Sequence, residues 1–269
     1  MNVFLLELRN TWKSVFKWTV ILGIISFLML AFFPSMQTES MKELAGAKLE
    51  GVSPELLAAL GLSKMMDFTI ITNYYGYVLQ YMTLAVMVFA AQLSVSSLVK
   101  EETDGTIEFL YSKPISRSAI FVQKLITNLV SFISMLLVLA VIAIVGYVSF
   151  SEYTLGESIK EVSILYGAIL YIGIIFMSVG TLLSSIMKTS KGASGVAIGI
   201  VFFTFVIGIT GILNNNLSFL SNLSPMDWIK TNKLMTEGIL TKEWIIGIVT
   251  IIVSTIAAHE IYKRKDLLA

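Results

Sequence analysis

The residues best suited to chemistry in this sequence lie in one charged stretch, EETDGTIEFLYSKPISRS, which runs from Glu101 to Ser118. The stretch carries four acidic residues together with Lys113 and Arg117, and strongly apolar sequence flanks it on both sides. Ionised side chains of this kind form charge-assisted hydrogen bonds with groups of opposite sign. The chemistry that the stretch offers is therefore recognition of a charged partner.

The same stretch has the pattern of a short amphipathic helix. Apolar side chains at Ile107, Leu110 and Tyr111 recur at the i, i+3, i+4 spacing of one helix face. Glu108 lies on another face, and Pro114 ends the helix because proline interrupts its hydrogen bonding. Such a segment is either a solvated connection that rests on lipid headgroups or a binding site for a protein. Acidic side chains repel an anionic leaflet, which favours a protein partner.

Two capping positions frame this predicted helix. Thr103 or Asp104 has a side chain able to cap its start, and Ser116 is placed to cap the apolar helix that follows. A charged segment about 20 residues long between two apolar stretches is too long for a tight turn. We expect a structured connection.

Composition indicates what must position this segment. Hydrophobic residues make up 56% of the 269 residues, charged residues make up 14%, and the mean hydropathy is +0.82. A soluble domain is about one quarter charged, so this is an integral membrane protein. The net charge of +1 gives no support to a nucleic-acid partner. With no cysteine and a single histidine, His259, near a helix end, the sequence offers no metal site.

Six stretches are long and apolar enough to cross a bilayer as helices, which requires roughly 20 residues each. The predicted fold is an all-α membrane protein, with a single transmembrane domain over residues 1–269. A seventh, amphipathic helix is predicted at the interface in MNVFLLELRNTWKSVFKW, ahead of the first span. The predicted spans cover approximately residues 15–33, 74–98, 120–148, 164–187, 193–213 and 244–262, and the charged connection covers 99–119.

An even number of spans puts both termini on one side of the membrane. With that side facing the cytoplasm, most of the 19 Lys and Arg residues lie there, as the positive-inside rule requires. On the outer side, Pro54 and Pro225 each follow a serine in the pattern of a helix start, and Gly238 is a suitable helix stop. Short outer helices near 53–66 and 225–237 are expected, as plain connectors or as a gate.

The interior of the predicted spans lacks ionisable residues. Lys124, His259 and Glu260 lie near span ends, and this distribution argues against an ion-coupled carrier. Gly195 and Gly199 form a G-x-x-x-G spacing that permits close packing of helices.

The charged stretch and its surroundings resemble ABC type-2 exporter permeases. LVKEETDGTIEFLYSKPISRSAIFVQKL is similar to a segment of that family, and so are NLSPMDW before the last span and the final YKRKDL. The positions that match in register are Glu101, Glu102, Gly105, Thr106, Glu108, Leu110, Pro114, Arg117 and Lys124.

The resemblance implies the transmembrane half of an ATP-driven exporter, with the charged stretch as a coupling helix docked on a nucleotide-binding ATPase subunit. The sequence contains no G-x-x-x-x-G-K-[ST], so ATP and Mg would be bound by the partner chain and this chain would not be an enzyme. The residues expected to couple to the ATPase are Glu101, Glu102, Gly105, Thr106, Ile107, Glu108, Leu110, Tyr111, Pro114 and Arg117.

By the same resemblance, the second and fifth spans of two permease subunits, identical or different, line the substrate path. Phe89, Phe202, Phe203 and Phe205 lie on these spans, and they favour a hydrophobic or amphipathic cargo such as a peptide toxin or antimicrobial peptide. Export of sodium, a drug or a lipid-type substrate is the alternative. An ion-coupled carrier and a non-transporting membrane assembly are further alternatives. The expected location is the plasma membrane, with lipid around the spans, and the resemblance implies a bacterial origin.

Overall fold

The computed structural model describes residues 3–38, 67–106 and 115–265, except for the side chains of Asn215 and Asn232. These residues form helices and no strands, and six of the helices are long and apolar enough to cross a membrane. The predicted all-α membrane fold with six spans is therefore confirmed. The predicted outer helix near 53–66 lies outside the described residues.

We number the described helices in chain order. They are α1 (Val3–Ala31), α2 (Phe33–Met36), α3 (Ile71–Val95), α4 (Lys100–Thr103), α5 (Arg117–Phe150), α6 (Leu155–Ile186), α7 (Ala193–Leu213), α8 (Pro225–Trp228), α9 (Thr231–Glu237) and α10 (Thr241–Arg264). A 3-10 segment, Asn215–Leu223, lies between α7 and α8 and is interrupted at Leu217.

The N-terminal segment is not a separate interfacial helix. It is continuous with the first span in α1, because the first proline of the chain is Pro34 and nothing before it interrupts the hydrogen bonding. The buried residues of its first half, Val3, Glu7 and Val15, recur at helical spacing. The segment therefore packs on the other helices along one face and exposes Trp12 and other large apolar side chains on another.

Helices α3 and α6 form the centre of the bundle. In the apolar window of each, 67% of the residues are buried, whereas for α7 and α10 this share is 22% and 17%. Helix α6 approaches its neighbours closely at two of its glycines: Gly173 lies under the ring of Phe132, and Gly180 lies against Ser94 of α3. Both contacts leave no room for a β-carbon.

The first and last described residues, Val3 and Lys265, lie at the same end of the bundle, which we call the terminal end. Val3 packs against Ile120, and the backbone N–H of Phe4 donates to Gln123 near the start of α5 at 3.1 Å. The Arg117 guanidinium donates to the carbonyl oxygen of Lys265, the residue after α10, at 2.8 Å. This arrangement is the one that six spans predict.

The opposite end is closed by the segment from Asn215 to Glu237. A helix begins at Pro225, as predicted, and α9 ends at Gly238, whose φ of +70° suits glycine. The segment folds back onto the spans, because Gly208 of α7 lies against Ser224 and Gly76 of α3 lies against Thr231.

Candidate functional site

A buried lysine lies at the centre of the terminal end. Ser116 caps α5, as predicted, by accepting from the backbone N–H of Ala119 at 3.2 Å, and this start places Lys124 two turns inside the helix. Its side chain is 1% exposed. The ammonium donates to Glu7 Oε1 at 2.8 Å, to Glu101 Oε1 at 2.5 Å and to the carbonyl oxygen of Ser97 at 2.5 Å.

This cluster pairs one buried ammonium with two carboxylates. A buried ammonium is tolerated only when its donors are hydrogen-bonded and its charge is paired, and Lys124 has three acceptors. Glu7 and Glu101, however, share one positive charge. Burial raises the pKa of Glu101, an effect that Lys124 offsets in part and that the neighbouring Glu7 strengthens.

The cluster joins three parts of the chain that are distant in sequence. Glu7 belongs to α1, Glu101 to α4 and Lys124 to α5, so one ammonium connects the first span, the end of the second and the start of the third. Among the described residues no group of three or more His, Cys, Asp and Glu could hold a metal ion. The arrangement anchors these three parts of the chain to one another.

A second ion pair fixes α4 from the other side. Lys265 donates to Glu102 Oε1 at 2.8 Å and to the carbonyl oxygen of Met187 at 2.6 Å. The Glu102 side chain is 6% exposed and that of Lys265 is 14% exposed, so water screens the pair little. This pair holds α4 against the end of α6 and the end of α10.

A third contact reaches the loop between α6 and α7. The Thr103 hydroxyl donates to the carbonyl oxygen of Val99 at 3.0 Å and accepts from the backbone N–H of Ser190 at 2.7 Å. Thr103 is therefore the last residue of α4, and Asp104 follows it as the C-terminal cap, so the prediction that one of them begins a helix is wrong. Gly105 then takes a left-handed backbone conformation with φ of +66°.

The predicted coupling residues fall into three groups. Glu101, Glu102 and Arg117 form polar contacts within this chain. Gly105 and Thr106 are exposed and lead away from α4. Contact with an ATPase stays a prediction for all of them. The remaining predicted residues, Ile107, Glu108, Leu110, Tyr111 and Pro114, lie outside the described residues.

The four phenylalanines predicted to line a substrate path differ in their surroundings. Phe89 is 1% exposed and packs against Trp18 with ring centroids 5.5 Å apart, so it belongs to the core between α1 and α3. Phe205 is partly buried against that core. Phe202 and Phe203 of α7 are 50% and 67% exposed.

The predicted packing glycines also lie on α7. A β-carbon added at Gly195 or at Gly199 would meet no atom of the described residues within 4 Å. Within this chain they therefore pack against none of the described helices, and contact with a second chain stays a prediction.

Sequence reasoning assigns no role to Glu7 or Lys265. A signal for Glu7 exists, since it is the only acidic residue among residues 1–38. Lys124 is likewise the only cation between Arg117 and Lys160, in strongly apolar sequence, where a charged residue requires a partner. No comparable signal marks Lys265, which lies in a run of charged residues.

Comparison with known proteins identifies the family. No curated protein matches this chain. A family model described as "ABC-2 family transporter protein" matches residues 1–267, nearly the whole sequence, and this match confirms the resemblance seen in the charged segment. The chain therefore belongs to the ABC-2 transporter family, as a membrane subunit that works with an ATPase.

Proposed function

We propose that this chain is the transmembrane permease of an ATP-driven exporter, and that it moves a hydrophobic or amphipathic cargo, an amphipathic peptide before other classes, out of the cell. A separate ATPase subunit supplies the energy. The observation that carries the proposal is the match of the ABC-2 family over residues 1–267, together with the anchored helix α4 that leads into the predicted coupling segment.

Coupling follows from the way α4 is held. The ATPase docks on the apolar face that the sequence predicts for Ile107, Leu110 and Tyr111, which follow the exposed Gly105 and Thr106. A displacement of that segment reaches α4, and the ion pairs of Glu101 and Glu102 transmit it to α1, α5 and α10. Buried ion pairs resist separation because an unpaired buried charge is costly. The terminal end therefore moves as a unit, and it faces the cytoplasm.

The cargo class follows from the surface that α7 presents. Helix α7 contains no ionisable residue, and it exposes Phe202 and Phe203 beside the open backbone at Gly195 and Gly199. A second permease, identical or different, faces this surface, and apolar cargo passes between the two. An ion substrate would require oxygen ligands in the middle of the spans, where α7 offers few.

The proposal is tested with the permease reconstituted in liposomes together with any ATPase that a neighbouring gene encodes. ATP hydrolysis is expected to rise on addition of amphipathic peptides and to stay at its basal rate with sodium chloride. A rise with sodium alone would replace the proposed cargo with the ionic alternative. An ATPase that does not co-purify with the permease would contradict the exporter assignment itself.

The orientation has its own test, because the chain has no cysteine that would give background labelling. Thr106→Cys and Ser218→Cys introduce thiols at exposed positions on the two ends of the bundle. An impermeant maleimide is expected to label Ser218→Cys in intact cells, and Thr106→Cys only after lysis. The reverse pattern would place the coupling segment on the wrong side.

A further inference from the structure

An open groove of about 610 Å³ lies at the terminal end, between the last turns of α6 and α10. Its walls are mostly apolar and include Ile186 and Ile261, both exposed. Because the spanning helices α6 and α10 end here, at Ile186 and Arg264, the groove lies where the hydrocarbon region meets the headgroups.

Positive charge surrounds the polar side of this groove. Lys188, Arg264 and Lys265 line it, against the two acids Glu102 and Glu260. Lys265 is already bound to Glu102 inside the groove. The exposed guanidinium of Arg264 forms an ion pair with Glu260, with 3.2 Å between a guanidinium nitrogen and a carboxylate oxygen. Lys188 is exposed and forms no ion pair with the described residues. The excess positive charge is therefore available at the open rim.

A second groove on the bundle provides a contrast. It measures about 410 Å³, lies between α1 and α5, and is lined by residues such as Val20, Phe27 and Ile142 with no ionisable side chain among them. Such a surface accommodates acyl chains of any lipid. The groove between α6 and α10 adds cations to such an apolar surface.

We propose that the groove between α6 and α10 is a binding site for one anionic phospholipid. The acyl chains pack on Ile186 and Ile261, while Lys188 and Arg264 extend their apolar stems along the groove and bind the phosphate with their charged ends. The complementary charge selects anionic over zwitterionic headgroups, because the latter carry their own cation.

The position of the site gives the lipid a consequence for coupling, and this step rests on the proposed function. The headgroup lies beside the pair between Glu102 and Lys265, which holds α4 against α10. A phosphate held by Lys188 and Arg264 leaves the pair between Lys265 and Glu102 intact. The bound lipid then packs beside α4 and α10 at this pair and supports the anchored position of α4.

The site is tested on the full chain alone, without ATPase, in phosphatidylcholine nanodiscs that contain a minority of spin-labelled phosphatidylglycerol. The immobilised fraction of the label gives the preference for the anionic lipid. The double variant Lys188→Gln, Arg264→Gln is expected to lower this preference by roughly thirtyfold, the effect of two cations near an anionic surface. The matched control, Lys13→Gln with Lys17→Gln, removes two exposed cations from α1 and is expected to leave the preference unchanged.

If both double variants lose the lipid preference equally, the attraction is a diffuse surface effect and the site is overturned. The site is also overturned if neither double variant loses the preference. Displacement of the labelled lipid by inorganic phosphate, but not by sodium chloride at the same ionic strength, would show a free-phosphate site instead. Displacement by the purified ATPase would show that the groove is a protein interface. None of these experiments measures transport or ATP hydrolysis. They therefore test the lipid site even if the proposed export function is wrong.

Discussion

The two ends of the bundle are held by ion pairs of different kinds. At the terminal end the least exposed pairs join distant parts of the sequence, since Lys124 binds Glu7 and Lys265 binds Glu102. At the opposite end the pairs are local: Lys230 binds Asp227 three residues away at 2.8 Å, and Lys233 binds Glu243.

The ion pairs therefore have different structural roles at the two ends. Long-range pairs at the terminal end fix whole helices relative to one another, which suits an end that must respond as a unit to an ATPase. Local pairs at the opposite end shape the segment from Asn215 to Glu243, and glycine contacts such as that of Gly76 with Thr231 then fit it onto the spans. The comparison predicts that charge substitutions at the terminal end loosen the contacts between helices. Volume substitutions at the opposite end should loosen the fit of its segment onto the spans.

The largest effect is expected for Lys124→Met. Removal of the ammonium leaves two buried carboxylates without their cation, and breaking a buried pair in this way costs about 3 to 5 kcal/mol. Thermal unfolding in detergent can be followed with a thiol-reactive dye on an Ala90→Cys background, because Ala90 is 0% exposed. Lys13→Met, which removes an exposed cation, is the matched control and should unfold as the parent does.

A triple variant tests the cause of that loss. Adding Glu7→Gln and Glu101→Gln to Lys124→Met removes the uncompensated charges. Most of the stability that Lys124→Met loses should therefore return. If Lys124→Met and its control unfold at the same temperature, the cluster does not hold the terminal end together.

The next effect is expected for reversal of the second pair. Glu102→Lys places two cations together at α4, and we expect a loss of about 1 to 3 kcal/mol, the cost of leaving a buried partner unsatisfied, with loss of transport coupling. The double variant Glu102→Lys, Lys265→Glu restores opposite charges within the chain. ATP hydrolysis stimulated by cargo is the measurement for all three proteins. Stimulation that stays lost in the double variant would show that Glu102 acts on the ATPase directly.

Much of the fold can be predicted from the sequence because the bilayer imposes a simple rule on length and polarity. Helix α5 runs from Arg117 to Phe150 where the sequence predicts a span over 120–148, and both the cap at Ser116 and the stop at Gly238 are confirmed. The prediction of a separate N-terminal interfacial helix is wrong. The charged residues of that segment suggest an interface, whereas the structure buries Glu7 against Lys124 and continues the helix.

The sequence identifies several residues of the candidate site, but it does not show which residues pair with them. The family pattern places Glu101, Glu102 and Lys124 at matching positions, yet spacing along a chain does not show which helix ends meet in space. Pairing of Lys265 with Glu102 across 163 residues depends on the packing of α10 beside α6. That packing is set by side-chain volumes, which an apolar pattern alone does not specify.

A volume substitution should act at the opposite end. In Gly76→Ala the added methyl group would overlap the Thr231 side chain, so the outer segment must shift, and we expect a loss of about 1 to 3 kcal/mol from overpacking. The same dye assay measures it. Gly199→Ala, where a β-carbon meets no atom of the described residues, is the control and should be neutral or slightly stabilising in a monomeric preparation. Equal losses in both variants would remove the argument that the opposite end is fitted by shape.

The smallest effect is expected from pH. Because burial raises the pKa of Glu101, the folded chain holds a proton on this carboxyl at pH values where the unfolded chain has released it. The contribution of Glu101 to stability is therefore fully present below its ordinary pKa of about 4.5 and is lost as pH rises through the raised value. The free energy of unfolding, measured as pH rises from about 4.5, should fall more in the parent than in Glu101→Gln. The expected difference is about 1.4 kcal/mol for each tenfold difference in the acid dissociation constant of this carboxyl between the folded and the unfolded chain.

Asp104→Asn, an exposed change beside α4, is the control and should follow the parent. Parallel curves for the parent and Glu101→Gln would mean that Lys124 compensates this carboxylate fully and that the terminal end contains no strained charge.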